Sequence, residues 1–204
     1  MFPKAIIQNV VSTAQLLDKN NKFDLYTIET IIKNSKYSPE RFSALIIKVE
    51  QPIRSTALVF SNGKIVCVGT KSVNESEIGI RNFVHLLSSA CDLAINMRAF
   101  KIQNIVSSFE FPGHLNLPGC LIYNYLLFLV LYDTMRIAPP KWLARYISYY
   151  PEFFPGMCLR MNDSRSVVIV FTTGKCIITG AKTEKEVYYV QNKVYNSILM
   201  FLKN

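Results

Sequence analysis

The chain says nearly the same thing twice. Ile7-Gln8-Asn9-Val10-Val11-Ser12 returns as Ile102-Gln103-Asn104-Ile105-Val106-Ser107. Tyr37-Ser38-Pro39-Glu40-Arg41-Phe42 returns as Tyr149-Tyr150-Pro151-Glu152-Phe153-Phe154. Ala57-Leu58-Val59-Phe60-Ser61-Asn62-Gly63-Lys64 returns as Val168-Ile169-Val170-Phe171-Thr172-Thr173-Gly174-Lys175, and Gly69-Thr70-Lys71 as Gly180-Ala181-Lys182. Self-similarity of this kind means one supersecondary unit used twice. The expected division is 1–96 and 97–204. The second copy carries roughly 17 extra residues between Val106 and Tyr149, which places an extra segment at about 121–145, with Pro139-Pro140 and Trp142 in it.

Each copy reads as a strand, a helix, a run of antiparallel strands and a long helix. β-Branched and apolar residues cluster at Leu45–Val49, Thr56–Phe60 and Ile65–Val68. Asn62-Gly63 predicts a tight hairpin turn with positive φ at both central residues. A helix from Ser72 to Ala94 opens with Ser72 and Glu75, and its twin opens with Thr183 and Glu186; both are capping boxes. Successive strand side chains point to opposite faces. One set in the first copy is Asn9, Val11, Phe42, Ala44, Ile46, Leu58, Phe60, Val66 and Val68; the other is Val10, Leu45, Ile47, Val49, Ala57, Val59, Ile65 and Cys67. Both are largely apolar, but two long helices can cover only one face.

The first set differs in kind. It holds an asparagine, a phenylalanine at two strand ends, and lysines at its margin (Lys48, Lys64, Lys71). The second copy repeats it with Asn104, Val106, Phe154, Arg160, Ile169, Phe171, Ile177 and Thr179, edged by Lys175 and Lys182. Any one phenylalanine at a strand end is ordinarily core packing; four at equivalent positions beside cations are not. An uncharged, lightly polar strip with cationic rims suits a groove lined by acceptors and walled by phosphates. The minor groove of A·T-rich DNA is such a groove. The net charge of +9 on a chain that is 50% hydrophobic and only 18% charged also points to a polyanionic partner.

The motifs IQNVVST, YSPERFSALIIKV, TALVFSNGKIVCVGTK, KIQNIVSS, YYPEFFPGMCLRM and VIVFTTGKCIITGAK resemble the C-terminal core of the TATA-box-binding protein family, in both repeats and in order. The resemblance implies an α+β fold: a pseudo-twofold saddle of about ten strands in one curved antiparallel sheet, with helices on the convex face. It implies DNA wedges at Phe42, Phe60, Phe154 and Phe171, and minor-groove base contacts at Asn9, Asn104, Val11, Val106, Leu58, Ile169, Val66, Ile177, Val68 and Thr179. Phosphate contacts match Arg41, Lys48, Lys64, Lys71, Arg160, Arg165, Lys175 and Lys182. Tyr150, Glu152 and Phe153 match the loop that the family offers to a general initiation factor. Tyr150 replaces an acid there, and Glu50 stands where the family is usually basic. The helix after Ser72 keeps only Arg81 and His85 of a face usually rich in cations.

The implied role is a nuclear general transcription initiation factor that bends TATA-box promoter DNA and nucleates the preinitiation complex for RNA polymerase II. Its implied partners are A/T-rich duplex DNA, initiation factors and associated factors, polymerase indirectly, and a second copy of itself without DNA. The alternatives are a related factor acting through protein partners at promoters lacking a TATA element, and an RNA-binding sheet that stacks bases on surface aromatics. Only about five residues precede the first motif, so no long N-terminal arm is expected. Five widely spaced cysteines without a C-x-x-C pair argue against a disulfide framework and against zinc. His85 and His114 are expected at the surface or in structural roles. The apolar stretch Leu121 to Tyr132 is too short for a bilayer span. No nucleophile–base pair or phosphate loop points to an enzyme, and no cofactor is expected.

The family's usual central threonine pair survives as Thr179 but is Val68 in the first copy, which removes one hydrogen bond to a base acceptor. The expected consequence is weaker and asymmetric selection of the TATA element, read by selecting sites from a random duplex pool. Equal preference in both half-sites would contradict it.

Overall fold

The structure, a computed structural model, describes residues 3–120 and 147–202. The extra segment at about 121–145 lies outside the described residues. The chain packs as two units, one of Ile7–Ile105 and one of Met1–Ile6 with Val106–Asn204.

In the first unit the order is β1 (Ile6–Gln15), α1 (Leu25–Ile31), β2 (Ser35–Ser38), β3 (Phe42–Val49), β4 (Ser55–Phe60), β5 (Lys64–Thr70) and α2 (Val73–Cys91). The strands pair antiparallel in the order β2-β3-β4-β5-β1. In the second, β6 (Arg98–Glu110), which begins in the first unit, leads to β7 (Ile147–Tyr150), β8 (Phe154–Arg160), β9 (Val167–Phe171), β10 (Lys175–Ala181) and α3 (Glu184–Ile198). Here the order is β6-β10-β9-β8-β7. The α+β class and the antiparallel pairing agree with the sequence.

The turns repeat as faithfully as the strands, though not as the one the sequence suggested. Only Gly63 has positive φ, at 81°, and Asn62 does not. The Gly63 N–H donates to Phe60 O at 2.9 Å, as Gly174 (φ 93°) does to Phe171 O at 2.9 Å. This is a three-residue hairpin loop, a turn followed by a left-handed residue, and it needs glycine at the third position only. A Cβ on Gly63 would sit 2.5 Å from Leu17 Cβ, and one on Gly174 2.5 Å from Gly113 O. Steric room and φ therefore both demand glycine.

Each long helix starts where its cap is. Ser72 Oγ accepts from Glu75 N at 3.0 Å and Thr183 Oγ1 from Glu186 N at 3.1 Å. The returning glutamates reach one residue further than expected: Glu75 accepts from Lys71 N and Glu186 from Lys182 N. α2 stops at Cys91, short of the expected Ala94, because Asp92 turns left-handed at φ 49°. α1 is capped by Asp24, whose carboxylate accepts from Tyr26 N and Thr27 N and from the Thr27 hydroxyl at 2.6 Å; these bonds hold its pKa below the usual carboxylate value. Asn116 does the same for the helical residues 117–120 through Gly119 N.

The helices cover the same side of each sheet. Leu45, Ile47, Ala57, Val59, Ile65 and Cys67 are fully buried with Ile80, Phe83 and Leu87 of α2 and Ile28 of α1. In the second unit Met157, Val168, Val170, Cys176 and Ile178 are buried, as are Val187, Val190, Val194 and Ile198 of α3. Phe111 stacks on Tyr195 at 4.7 Å between ring centroids. Leu16, Phe83 and Val84 stand in the first repeat at the positions of Phe111, Val194 and Tyr195. None of the five cysteines is in a disulfide. Burial pushes the Cys67 thiol up to about 11, against the Ser76 hydroxyl bonded to it, and Cys176 to about 12, with Glu110 adding to the shift.

One polar detail breaks the symmetry. Ser12 and Ser76 share a buried hydrogen bond at 2.6 Å. Ser107, the twin of Ser12, is equally buried but faces the Val187 repeat position, and its hydroxyl has no partner. A buried hydroxyl without a partner costs free energy that a methyl would not. Ser12→Ala is expected to lose about 1 kcal/mol, whereas Ser107→Ala should fall within about 0.5 kcal/mol of wild type or exceed it. Urea unfolding followed by circular dichroism measures both; equal losses would contradict this account.

Candidate nucleic-acid interface

The side of each sheet without helices holds the other alternate set. In the first unit Val11, Ile46, Leu58, Phe60, Val66 and Val68 are only half-buried, while their strand neighbours are closed off entirely. In the second, Cys158, Ile169, Phe171, Ile177 and Thr179 stand the same way. Registers arrange them in rows across the strands. Lys48 lies opposite Thr56, and Thr56 opposite Val68. Arg160 lies opposite Val167, and Val167 opposite Thr179. Ile46, Leu58, Val66 and Thr13 make the next row of the first unit; Cys158, Ile169 and Ile177 make its counterpart. A continuous apolar patch of this kind marks a binding surface in a soluble protein.

The four candidate wedge rings form two matched pairs. Phe42 and Phe60 meet edge to face with centroids 6.3 Å apart and planes at 67°; Phe154 and Phe171 do so at 6.1 Å and 64°. The outer rings, Phe42 and Phe154, are 43% and 44% exposed, which places neither beneath a helix. Their seats are small. Ala44 is buried opposite Phe60, contrary to its expected place on the open surface, because the aromatic pair covers it. Gly156 takes its place opposite Phe171, and a Cβ there would come 2.6 Å from Ile169 Cγ2 and 2.7 Å from Phe154 Cε1. Sequence reasoning passed over Gly156, although its alignment with Ala44 was the available signal.

Asn9 and Asn104 are half-buried within β1 and β6. The Asn9 side-chain oxygen accepts from Gly69 N at 2.7 Å. That bond orients the amide and leaves Nδ2 as the outward group, a donor suited to an acceptor-lined groove. Val106 lies two residues beyond Asn104 on the same strand face and is half-buried.

Arg41, Lys48, Lys64, Lys71, Arg160, Arg165 and Lys175 are exposed, and Lys182 is half-buried. The ion pairs among the described residues use Arg54, Arg81, Arg98 and Lys193, so none of these eight cations is paired with an acid among the described residues. Arg41 occupies the β2–β3 turn, where its N–H donates to Ser38 O; Phe153 occupies the equivalent turn, donating to Tyr150 O. Tyr150 is 66% and Phe153 91% exposed, with Glu152 exposed between them. Arg165 is set by the β8–β9 loop, which is tied to α3: Ser166 Oγ donates to Glu186 Oε1, and Lys193 and Tyr189 both donate to Asp163. The Lys193 and then the Tyr189 hydrogen bonds hold Asp163 below its usual carboxylate pKa. His85 and His114 are exposed. No group of metal ligands occurs among the described residues, and no described helix is long and apolar enough to cross a membrane.

A family model described as transcription factor TFIID (or TATA-binding protein, TBP) matches residues 4–90 and 135–201. The TATA-box-binding protein of Spodoptera frugiperda is 34% identical over 97% of this chain and 56% of its own length. That of Strongylocentrotus purpuratus is 34% identical over 97% of this chain and 65% of its own. The chain thus spans less than two thirds of the length of these relatives. Among solved structures, Methanococcus jannaschii TBP superposes with a TM-score of 0.71 at 30% identity, covering 97% of this chain and 99% of that one. The chain belongs to the TATA-binding protein family.

Proposed function

We propose that this chain is a general transcription initiation factor that binds TATA-type promoter DNA through the minor groove. Phe42 with Phe60, and Phe154 with Phe171, wedge between base steps at the two ends of the site and bend the duplex. The observation that carries this reading is the pair of matched, uncovered aromatic seats beside cations that no described acid pairs with. In this family unstacking costs a few kcal/mol per step and is offset by the larger surface that bent DNA presents. Asn9 and Asn104 donate to base acceptors, and Val11, Val106, Leu58, Ile169, Val66, Ile177, Val68 and Thr179 form the floor. The floor rejects G·C by meeting its protruding minor-groove amine with methyl groups. Arg41, Lys48, Lys64, Lys71, Arg160, Arg165, Lys175 and Lys182 hold the phosphates, which fixes register without reading sequence.

The bent complex then serves in the nucleus as the platform for initiation factors and RNA polymerase II. The exposed Tyr150, Glu152 and Phe153 are the contact for one such factor. α2 offers less to the partners that use a basic helix, since Arg81 is tied to Glu77 at 2.7 Å.

Two measurements test the reading. Phe60→Ala with Phe171→Ala should abolish bending, read as end-to-end energy transfer on a labelled TATA duplex, and weaken binding by about 100-fold, or about 2.7 kcal/mol. Unchanged bending would remove the wedge mechanism. Weak wild-type binding indifferent to the TATA sequence would favour a factor that works through protein partners. Separately, Gly156→Val should displace the Phe154–Phe171 pair and weaken the complex by about tenfold or more, while Ala44→Gly should leave it within about threefold. Gel shifts with the same duplex decide between these outcomes.

A further inference from the structure

Apart from Arg41 in the β2–β3 turn, whose repeat position holds Phe153, the first unit has one cation on its open face with no counterpart at the matching position of the second. β2 pairs with β3 so that Ser35 lies opposite Ile47 and Lys36 opposite Ile46. Ile47 is buried in the core, and Ser35 turns the same way, donating to Glu29 O and Ile32 O. Lys36 therefore stands with Ile46 on the helix-free side, at the outer end of the row that runs through Leu58 and Val66. It lines an open groove of about 500 Å³ together with Asn34, Ser35, Ile46, Lys48 and Glu50.

The charges in that groove do not balance. Lys36 and Lys48 are both exposed, and neither has an acidic partner among the described residues. The one carboxylate present, Glu50, is drawn to Arg54, its Oε2 lying 3.3 Å from Nε. In the second unit the register puts Ser148 opposite Cys158, in the place of Lys36 opposite Ile46. Arg160 matches Lys48 there, but nothing matches the outer lysine.

We infer that Lys36, with Lys48, binds a further backbone phosphate of the DNA on the first-repeat side, so that the protein's electrostatic track is one phosphate longer at that end. The inference rests on the minor-groove reading above and extends it. Strands are spaced about 4.8 Å apart, which sets Lys36 about 10 Å outside Leu58, the outer floor residue. That is one strand beyond Phe42 on β3, whose ring with Phe60 marks this end of the site, so the group offered to a lysine there is flanking sugar-phosphate, not a base edge. The two ends of the site are then held unequally, by an additional cation at one and by a neutral hydroxyl residue at the other.

The test uses the full chain, a TATA duplex with long flanks on both sides, and fluorescence anisotropy over a series of salt concentrations. Each phosphate neutralised contributes about 0.9 to the slope of log K against log salt. Lys36→Ala and Lys36→Gln should each lower the slope's magnitude by about 0.9 and weaken binding about fivefold near 0.15 M salt. Lys19→Ala, an exposed lysine in the loop after β1, should change neither. Uncharged methylphosphonate linkages in one flank, and not in the other, should erase the difference between wild type and Lys36→Ala. An unchanged slope in the Lys36 variants, an equal change in Lys19→Ala, or indifference to the flank modified overturns the inference. If the wild type itself shows no TATA preference, the minor-groove reading fails instead.

Discussion

A β-sheet gives its residues alternately to two faces, and in this chain both alternate sets are apolar. Burial of one set under α1 and α2, or under α3, supplies the hydrophobic stabilisation of each unit, at about 25 cal/mol per Å² of apolar surface removed from water. The other set, from Val11 to Val68 in one repeat and from Cys158 to Thr179 in the next, has no helix to lie under. It remains half-buried only through its own neighbours. Everything proposed for the protein follows from that leftover face. The aromatic pairs are held by small residues, the amide of Asn9 is aimed by the Gly69 N–H, and the cations around it pair with no described acid.

The duplicated architecture makes each repeat a control for the other. Backbone devices are kept almost unchanged: the hairpin glycines, the capping serine and threonine, and the edge-to-face geometry of the phenylalanine pairs agree closely. Side-chain partnerships are not. Ser76 gives way to Val187 and strands Ser107; Leu16, Phe83 and Val84 give way to Phe111, Val194 and Tyr195, the first and last of which stack. On the open face the single hydroxyl of one row sits on β4 as Thr56 in the first repeat and on β10 as Thr179 in the second. At Gly63 and Gly174 a positive φ and a neighbouring atom 2.5 Å from any Cβ leave room for glycine alone, whereas a close-packed core accepts exchanges that conserve volume. The two halves therefore share a shape and differ in chemistry.

That difference bears on how such a protein would sit on DNA. A pseudo-symmetric surface meeting a pseudo-symmetric groove has two nearly equivalent orientations, and only unlike residues separate them. Val68 against Thr179 and Lys36 against Ser148 are differences of that kind, one at the floor and one at the rim. In the proposed complex floor differences would act through base edges and rim differences through phosphates, and so would respond differently to salt.

The repeat, the α+β order, the helix caps and the two-faced apolar strands were legible in the primary structure, because each depends on residues close together in the chain. So were the four phenylalanines, whose recurrence at matching positions separated them from ordinary core. What depended on strand pairing was not. The turn at Asn62-Gly63 took the three-residue form because Gly63 must pass against Leu17, a residue on another strand connection. α2 ended early where Asp92 adopted a left-handed backbone that no periodicity signals. Ala44 went under the rings instead of into the open, and Gly156 gained its purpose only once Phe154 and Phe171 closed over it. Lys36 looked like one more surface lysine until the β2–β3 register set it opposite Ile46. Local sequence determined which residues alternate and where elements start; long-range pairing decided which face each set reached and what stood beside it, since register is a relation between strands and is written in neither one alone.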